Sequence, residues 1–188
     1  IDEAGRWPWL GPVVACSLTF DGNNMPPKAF LDQIWDSKKL TEKKREELFE
    51  ELVRLSILEK PQVFFWVGVV DNFIIDEINI KQANKEAMRR SLMEILRKID
   101  NDYVVGGDAK VLEIGAASII AKVFRDKLIS TYSTLYPNLN LENHKWYGTK
   151  KHIDYLSDAS KITGIHRISY KPVKKILEQK PKLLLHIC

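Results

Sequence analysis

The chain has 188 residues, of which 45% are hydrophobic and 29% charged, a composition typical of a soluble globular domain and not of a disordered chain. No apolar run is long enough to cross a membrane, and the acidic start followed by Arg6 and Pro8 is unlike a signal peptide. Cys16 and Cys188 lie far apart, which argues against a disulfide scaffold or a cysteine metal site and favours a reducing, cytoplasmic setting.

The net charge of +4 is spread unevenly along the chain. Ten lysines or arginines lie between His144 and Lys182, against three acidic residues. A basic stretch of this kind suits a polyanionic partner, because neutralised phosphates release their counterions. A solvated helix face is an equally good interpretation of the charge taken alone.

The first half of the chain alternates apolar runs with one charged helical stretch. Ile1 is expected to be the last residue of a strand whose beginning is missing. Pro12 to Phe20 is an apolar run that ends in turn residues, which predicts a strand. Thr41 is predicted to be the N-cap of a helix that reaches about residue 58, because leucines recur there at helical spacing. Val63 to Val70 is continuously apolar, which indicates a strand covered on both faces.

The second half is predominantly helical. Asn72 to Ile99 predicts one or two amphipathic helices, and Tyr103 to Val105 predicts a short strand. Ala116 to Leu135 predicts a helix that ends before Pro137. Further helices are expected near residues 150–157 and from Pro172 onward. Strands that alternate with helices indicate an α/β fold with a central sheet.

The chain is expected to divide into a catalytic domain and an appendage. Residues 1–137 contain all the predicted strands and form the proposed catalytic domain. Residues 138–188 are predicted to be a helical, basic C-terminal extension that packs on this domain and contacts the substrate.

Asp2 and Glu3 are the first candidates for chemistry. On a regular strand their side chains point to opposite faces, so one site can use both only where the strand bends. Ala4 and Gly5 supply such a bend. Carboxylates gathered in this way suit Mg²⁺, a hard cation that binds few protein oxygens together with water and phosphate. For an isolated pair of acids, a solvated loop is the more common interpretation.

Four blocks in the chain, taken in order, resemble the type 2 ribonucleases H, the bacterial ribonuclease HII family. The first block is Asp2–Arg6 with Gly11–Ala15, and the second is Asp36–Thr41. The third is Gly107–Lys110 with Ala116–Val123 and Arg125–Asp126, and the fourth is His144–Lys150 with Ile165–Arg167. One block would be weak evidence, whereas four in family order across nearly the whole chain are specific.

The resemblance implies a ribonuclease H-like α/β fold, with a central mixed sheet flanked by helices. It implies hydrolysis of the RNA strand in RNA/DNA hybrids and nicking on the 5′ side of ribonucleotides embedded in duplex DNA, as in ribonucleotide and primer removal. Asp2, Glu3 and Asp108 match three of the family's four metal-binding carboxylates, which hold Mg²⁺ or Mn²⁺ for a two-metal hydrolysis. The resemblance also implies a monomer that needs no membrane or partner protein.

The same resemblance implies a set of substrate contacts. The turn that contains Gly5 and Arg6 is expected to bind the ribose 2′-hydroxyl through backbone groups, which distinguishes RNA from DNA. Tyr147 is expected to stack near the junction between the ribonucleotide and the deoxyribonucleotide. Three lysines are expected to contact phosphates, and each could also be plain surface charge. They are Lys39, Lys122 and Lys145.

Two tryptophans stand where the family has glycine. Trp7 follows Gly5 and Arg6, and Trp146 precedes Tyr147. An indole at either place could block or reshape the ribose pocket, and weakened cleavage is the expected consequence. Alternatively, the two indoles could form a new surface on which bases stack.

The third family aspartate, in a Val-Asp-Gly strand end before a hairpin, has no counterpart here. Asp102 leads through Tyr103–Val105 directly into Gly106–Asp108, and Asp100 and Asp102 lie at the wrong end of the predicted strand to replace it. The favoured interpretation is that a loop of the protein is missing from the sequence. A true deletion would lower both the affinity for the metal ions and the rate of cleavage.

Two alternative functions follow from these departures. The first is a catalytically impaired relative that binds RNA/DNA hybrids without cutting them. The second is another ribonuclease H-like nuclease that acts on DNA structures. The second accounts for the carboxylates but not for the blocks Asp36–Thr41 and His144–Lys150.

Overall fold

The computed structural model of the chain describes residues 1–35, 39–98, 110–137, 154, 156 and 162–179. Within these ranges the chain forms three strands and five named helices. The strands are β1 (Asp2–Ala4), β2 (Val13–Phe20) and β3 (Val63–Val70). The helices are α1 (Lys28–Ile34), α2 (Glu42–Ser56), α3 (Asn72–Lys98), α4 (Lys110–Leu135) and α5 (Lys171–Gln179).

The three described strands form one antiparallel sheet in the order β1-β2-β3. Asp2 lies opposite Cys16 and Ala4 opposite Val14, while Phe20 lies opposite Val63. All eight residues of β2 are buried, because this strand is central and helices cover both of its faces. The sheet therefore needs apolar side chains on both sides of β2, as the run from Val13 to Phe20 supplies.

Helices pack on both faces of the sheet. Alternate side chains of β2, beginning with Val14, pack in one apolar cluster with residues of α1, α2 and α4. Val13 and Ala15 pack on the other face against Ile75, Ala83 and other residues of α3. This three-layer arrangement confirms the predicted α/β class with a central sheet flanked by helices.

A glycine on β3 sets the close approach of α3 to the sheet. A β-carbon added at Gly68 would collide with the carbonyl oxygen of Ala87 and crowd the amide nitrogen of Ser91. The backbone of α3 therefore lies directly over the strand at this point. Beside the same contact, the buried hydroxyls of Ser17 and Ser91 share a hydrogen bond of 2.7 Å. Together these contacts fix how α3 lies on β2 and β3.

Helix α3 contains a kink at Asn79, whose backbone has φ 65° and ψ 160°. The Asn79 Oδ1 accepts hydrogen bonds from the backbone N–H groups of Lys81 and Gln82, at 3.0 and 3.2 Å. Asn79 thus caps the second part of the helix while it ends the first. The prediction of one or two helices between residues 72 and 99 is confirmed in its two-part form.

Several other predicted elements are confirmed. Strands β2 and β3 match their predicted ranges to within one residue. The Thr41 hydroxyl accepts a hydrogen bond from the Lys44 N–H at 3.2 Å, so Thr41 is the N-cap of α2. Helix α4 ends at Leu135, shortly before Pro137, although it begins six residues earlier than predicted. Helix α5 begins at Lys171, next to Pro172.

One expectation about the first elements was wrong. Ile1 does not end a strand, because β1 comprises Asp2–Ala4 and pairs residue by residue with β2. The acidic residues consequently lie within the strand. Helix α1 was not predicted, since it has only seven residues and no side-chain hydrogen bond at its N-cap, Pro27.

The predicted strand Tyr103–Val105 lies outside the described residues. So does most of the predicted helix near residues 150–157, of which Asp154 and Leu156 are described and helical. The boundary between residues 137 and 138 therefore stays a prediction. Among the described helices, none is both long enough and apolar enough to cross a membrane.

We expect Gly68→Ala to destabilise the protein by about 1–3 kcal/mol, because α3 must move away from the sheet to admit the methyl group. Urea unfolding followed by circular dichroism measures this difference. Gly164→Ala is the matched control, since the nearest atom to its added β-carbon is the Phe73 Cζ at 4.0 Å. Equal stabilities of the two variants would contradict the close packing of α3 on β3.

Candidate active site

Strand β1 carries the two candidate acids on different faces of the sheet. Asp2 lies opposite Cys16, which belongs to the cluster beneath α4, and Glu3 lies opposite Ala15, which packs against α3. Burial raises the pKa of the Cys16 thiol, and the Asp2 carboxylate raises it further, as expected for neighbours on one face. Both acids are half-buried. A metal site that uses both carboxylates would therefore have to reach both faces of β1.

The predicted bend follows the acids directly. Gly5 has φ +89°, and a β-carbon there would collide with the guanidinium of Arg125 and crowd the Pro12 carbonyl oxygen. Only glycine combines this backbone conformation with such close contacts. The chain leaves β1 at this point and enters a loop, residues 5–12, that we call the turn loop.

A buried arginine from the C-terminal part of the chain binds the turn loop. Arg167 is fully buried and donates hydrogen bonds to the carbonyl oxygens of Gly5 at 2.7 Å, Arg6 at 3.2 Å and Gly11 at 2.9 Å. The Tyr170 hydroxyl donates to the same Arg6 oxygen at 2.8 Å. Both ends of the turn loop are thus joined to one guanidinium.

A second buried arginine binds the loop from helix α4. Arg125 donates to the Pro12 carbonyl oxygen at 3.2 Å and lies 3.4 Å from that of Leu10. Because Arg125 and Arg167 come from different elements, the loop is held between α4 and the C-terminal segment. A charged donor makes stronger hydrogen bonds to carbonyl oxygens than a neutral one.

The C-terminal segment is itself fixed to the body of the fold. Gly11 donates its N–H to Ile165 at 2.8 Å, and Arg167 donates its N–H to Trp9 at 2.8 Å, so the two stretches run antiparallel. The Asp76 carboxylate on α3 accepts hydrogen bonds from the N–H groups of Ile168 and Ser169, at 2.9 and 2.8 Å. Arg167 is therefore supported from α3 as well as from the loop.

Burial also shifts the pKa values of Arg167 and Tyr170. Burial lowers the pKa of Arg167 from its usual value, while the neighbouring Tyr170 acts in the opposite direction. Burial raises the pKa of Tyr170, and the charge of Arg167 opposes that rise. The tyrosine hydroxyl accordingly stays protonated at neutral pH and can donate its hydrogen bond to Arg6.

These contacts fix the direction of two amide groups. Because the peptide group is planar, a carbonyl that points to Arg167 leaves the next residue's N–H pointing the opposite way. The carbonyls of Gly5 and Arg6 bind Arg167, so the N–H groups of Arg6 and Trp7 point away from it. The turn loop thus presents adjacent backbone donors next to the acidic strand.

Arg6 and Trp7 are exposed, unlike most residues of the turn loop. The indole of Trp7 is 73% exposed. The Arg6 guanidinium carbon lies 5.6 Å from the Trp7 ring centroid, and its Nη1 lies 3.9 Å from the Glu3 Oε1. A carboxylate, a cation and an aromatic ring therefore follow one another beside β1.

Of the remaining predicted site residues, the structure describes two and leaves three outside the described ranges. Lys122 on α4 forms an ion pair with Asp126, at 2.6 Å between its Nζ and the Asp126 Oδ1, and Lys39 is exposed next to α2. Asp108, Lys145 and Tyr147 lie outside the described residues, as do Asp36–Lys38 of the second block and Trp146. Asp108 stands two residues before the first residue of α4.

In the described ranges, no group of three or more histidine, cysteine, aspartate or glutamate side chains is arranged to hold a metal ion. Asp2 and Glu3 supply hard oxygen donors of the kind that Mg²⁺ and Mn²⁺ bind. A complete site would therefore need at least one further carboxylate, and the role of Asp108 stays a prediction. No Val-Asp-Gly tripeptide occurs in the 188 residues.

The sequence interpretation gave no role to Arg125, Arg167 or Tyr170. Arg125 and Arg167 were recognised only as parts of blocks three and four. Their presence in those blocks was the available signal. The contacts themselves join residues that are more than a hundred positions apart, so no local pattern could reveal them.

A family model and known proteins match the chain over most of its length. The family model described as Ribonuclease HII matches residues 1–105 and 68–173. The Ribonuclease HII of Endomicrobium trichonymphae is 42% identical to the chain over 95% of the chain and 87% of the relative. The first matched stretch ends at residue 105, beside the place where the Val-Asp-Gly element is missing.

Solved structures share the fold. The ribonuclease H2 of Pyrococcus horikoshii OT3 superimposes with a TM-score of 0.65 at 27% identity, covering 96% of this chain and 97% of that chain. Bst-RNase HIII in complex with Mn²⁺ superimposes with a TM-score of 0.68 at 16% identity, covering 96% and 69%. The second likeness concerns the fold alone.

We expect Arg167→Met to destabilise the protein by about 3 kcal/mol or more. The buried oxygens of Gly5 and Gly11 lose a charged donor, and each such loss costs about 1–3 kcal/mol. Chemical unfolding measures the change. Arg54→Met is the control, because the exposed Arg54 guanidinium pairs with Glu51 on the surface of α2, so its unfolding midpoint should stay nearly unchanged. Equal midpoints for the two variants would contradict the role of Arg167.

Proposed function

Because the chain belongs to the ribonuclease HII family, an endoribonuclease family that acts on RNA/DNA hybrids, we propose that it is a metal-dependent enzyme that also nicks duplex DNA on the 5′ side of embedded ribonucleotides. The acids of β1 next to a rigid turn loop carry this proposal. Mg²⁺ or Mn²⁺ is the proposed cofactor, and the fold likeness to a ribonuclease HIII solved with Mn²⁺ supports it. Removal of primers and of single ribonucleotides is the proposed cellular role, in the cytoplasm and as a monomer.

Asp2, Glu3 and Asp108 are the proposed metal-binding and catalytic carboxylates. Two divalent ions at such carboxylates supply activated water and neutralise the charge that develops on the phosphate. The partial exposure of both side chains beside the turn loop supports this role for Asp2 and Glu3. If the third aspartate is truly deleted from the protein, a slower enzyme is the expected result.

The turn loop is the proposed ribose-binding element. The N–H groups of Arg6 and Trp7 point away from Arg167, and an outward amide can donate a hydrogen bond to a 2′-hydroxyl. Gly5 contributes the positive-φ conformation that brings the backbone of the turn loop close to Arg125 and Pro12. In this mechanism Arg167 and Tyr170 are positioning residues, since they act on the substrate through the loop.

The proposed phosphate contacts are Lys39, Lys122 and Lys145, and Tyr147 is the proposed stacking residue at the junction. Lys122 binds Asp126 in the free protein, so contact with a phosphate would exchange one acidic partner for another. Residues 138–188 carry most of the excess positive charge, which supports their proposed contact with the duplex.

We expect Asp2→Asn to lower nicking by about a hundredfold or more, because a metal-binding charge that contributes several kcal/mol is lost. The assay is cleavage of a DNA duplex that contains one ribonucleotide, with Mg²⁺ or Mn²⁺ present. Asp32→Asn on the exposed side of α1 is the control and should cut at the unaltered rate. Full activity of Asp2→Asn would overturn the assignment of the carboxylates.

We expect removal of divalent ions with EDTA to abolish cleavage while hybrid binding and the unfolding midpoint stay nearly unchanged. Added Mg²⁺ or Mn²⁺ should restore cutting. The alternative function, a hybrid-binding protein without activity, predicts binding with no cleavage under any of these conditions. The missing Val-Asp-Gly aspartate is the observation that favours this alternative. Cleavage that continues in EDTA would contradict the metal requirement.

A further inference from the structure

The indole of Trp7 is exposed to solvent, whereas most residues of the turn loop are buried. Its indole is 73% exposed, whereas Trp9, two residues further on, packs against a buried cluster that includes Leu156 and Val173. A large apolar side chain gains free energy when it leaves water. An exposed indole beside a candidate active site is therefore suited to contact with a ligand that covers it.

The backbone around Trp7 is anchored on both sides. Arg167 binds the carbonyl oxygens of Gly5 and Arg6 before it and that of Gly11 after it. Arg125 binds the Pro12 oxygen from the other side. The backbone that carries the indole is consequently held by buried charged donors on both sides of Trp7.

The neighbours of Trp7 fit a nucleic acid. The guanidinium of Arg6 lies 5.6 Å from the ring centroid, so a cation and a flat aromatic face are presented together. An aromatic face packs on a base or a sugar without sequence preference, and an adjacent arginine binds phosphate. The Arg6 Nη1 also lies 3.9 Å from the Oε1 of Glu3, a carboxylate of the candidate metal site.

We propose that Trp7 is a substrate-binding residue, whose indole packs against the nucleic-acid strand in the minor groove beside the ribonucleotide while Arg6 binds the neighbouring phosphate. This inference rests on the proposed function. The 2′-hydroxyls of an RNA/DNA duplex line the minor groove, and the N–H of Trp7 belongs to the proposed ribose-binding donors. The indole on the same residue therefore enters the same groove. In this protein the turn loop adds an aromatic contact to its backbone contacts.

The test compares hybrid binding by three variants with that of the unaltered protein. A labelled RNA/DNA hybrid is titrated in EDTA, so that no cleavage occurs, and the dissociation constant is read from fluorescence anisotropy. Trp7→Ala should bind about tenfold more weakly, which corresponds to about 1.4 kcal/mol, and Trp7→Phe should stay within about twofold, because phenylalanine also stacks. Ile57→Ala is the control, since Ile57 is 76% exposed and lies near β3, at the other edge of the described sheet.

A second measurement reports on the indole itself. Binding of the hybrid should quench tryptophan emission in the unaltered protein, and Trp7→Phe should lose most of that quenching. Unchanged or tighter binding by Trp7→Ala would overturn the proposal, and tighter binding would show that the indole obstructs the groove. If the unaltered protein binds the hybrid but Trp7→Ala binds equally well, the proposed function survives and this inference fails. If the unaltered protein does not bind the hybrid at all, both fail.

Discussion

The buried guanidinium of Arg167 is the contact on which the candidate site depends. It joins the carbonyl oxygens of Gly5, Arg6 and Gly11, and Arg125 completes the support from α4. A buried charge is costly unless every donor finds an acceptor, so the loop and the arginine require one another. Without Arg167 the turn loop would have carbonyl groups facing inward with no donor, and its outward amides would lose their fixed direction. The precision of the site thus comes from residues that do not touch the proposed substrate.

The elements that follow from local sequence were predictable. The apolar runs of β2 and β3 gave their ranges, and the side chain of Thr41 gave the start of α2, because strands and caps depend on neighbouring residues. Helix α1 lacked both a cap and length, so nothing local marked it. The collision that keeps Gly68 a glycine is a contact with another helix, and such a contact follows only from the assembled fold.

The candidate site was predictable in its residue types but not in its geometry. Family resemblance identified Asp2, Glu3, Gly5 and Arg6, because those residues recur in a recognisable order. That the two acids point to opposite faces follows from strand geometry alone, whereas the register that places Asp2 opposite Cys16 and Glu3 opposite Ala15 could not be read from the sequence. From the sequence, an indole at position 7 could obstruct the ribose pocket or add a stacking surface. The exposed indole and the adjacent Arg6 support the proposed binding role, and the expected weakening of cleavage stays a prediction.

The distance along the chain between Gly5 and Arg167 has a consequence for biosynthesis. The two residues are 162 positions apart, so the turn loop cannot acquire its supporting contacts until the segment that carries Arg167 has left the ribosome. The early strands and α3 can collapse sooner, because β2 and β3 are joined by a shorter stretch of chain. A nascent chain would therefore hold its acidic strand in a partly formed fold while the turn loop still lacks the guanidinium that supports it. Ordering of the turn loop is thus a late step in the folding of this chain.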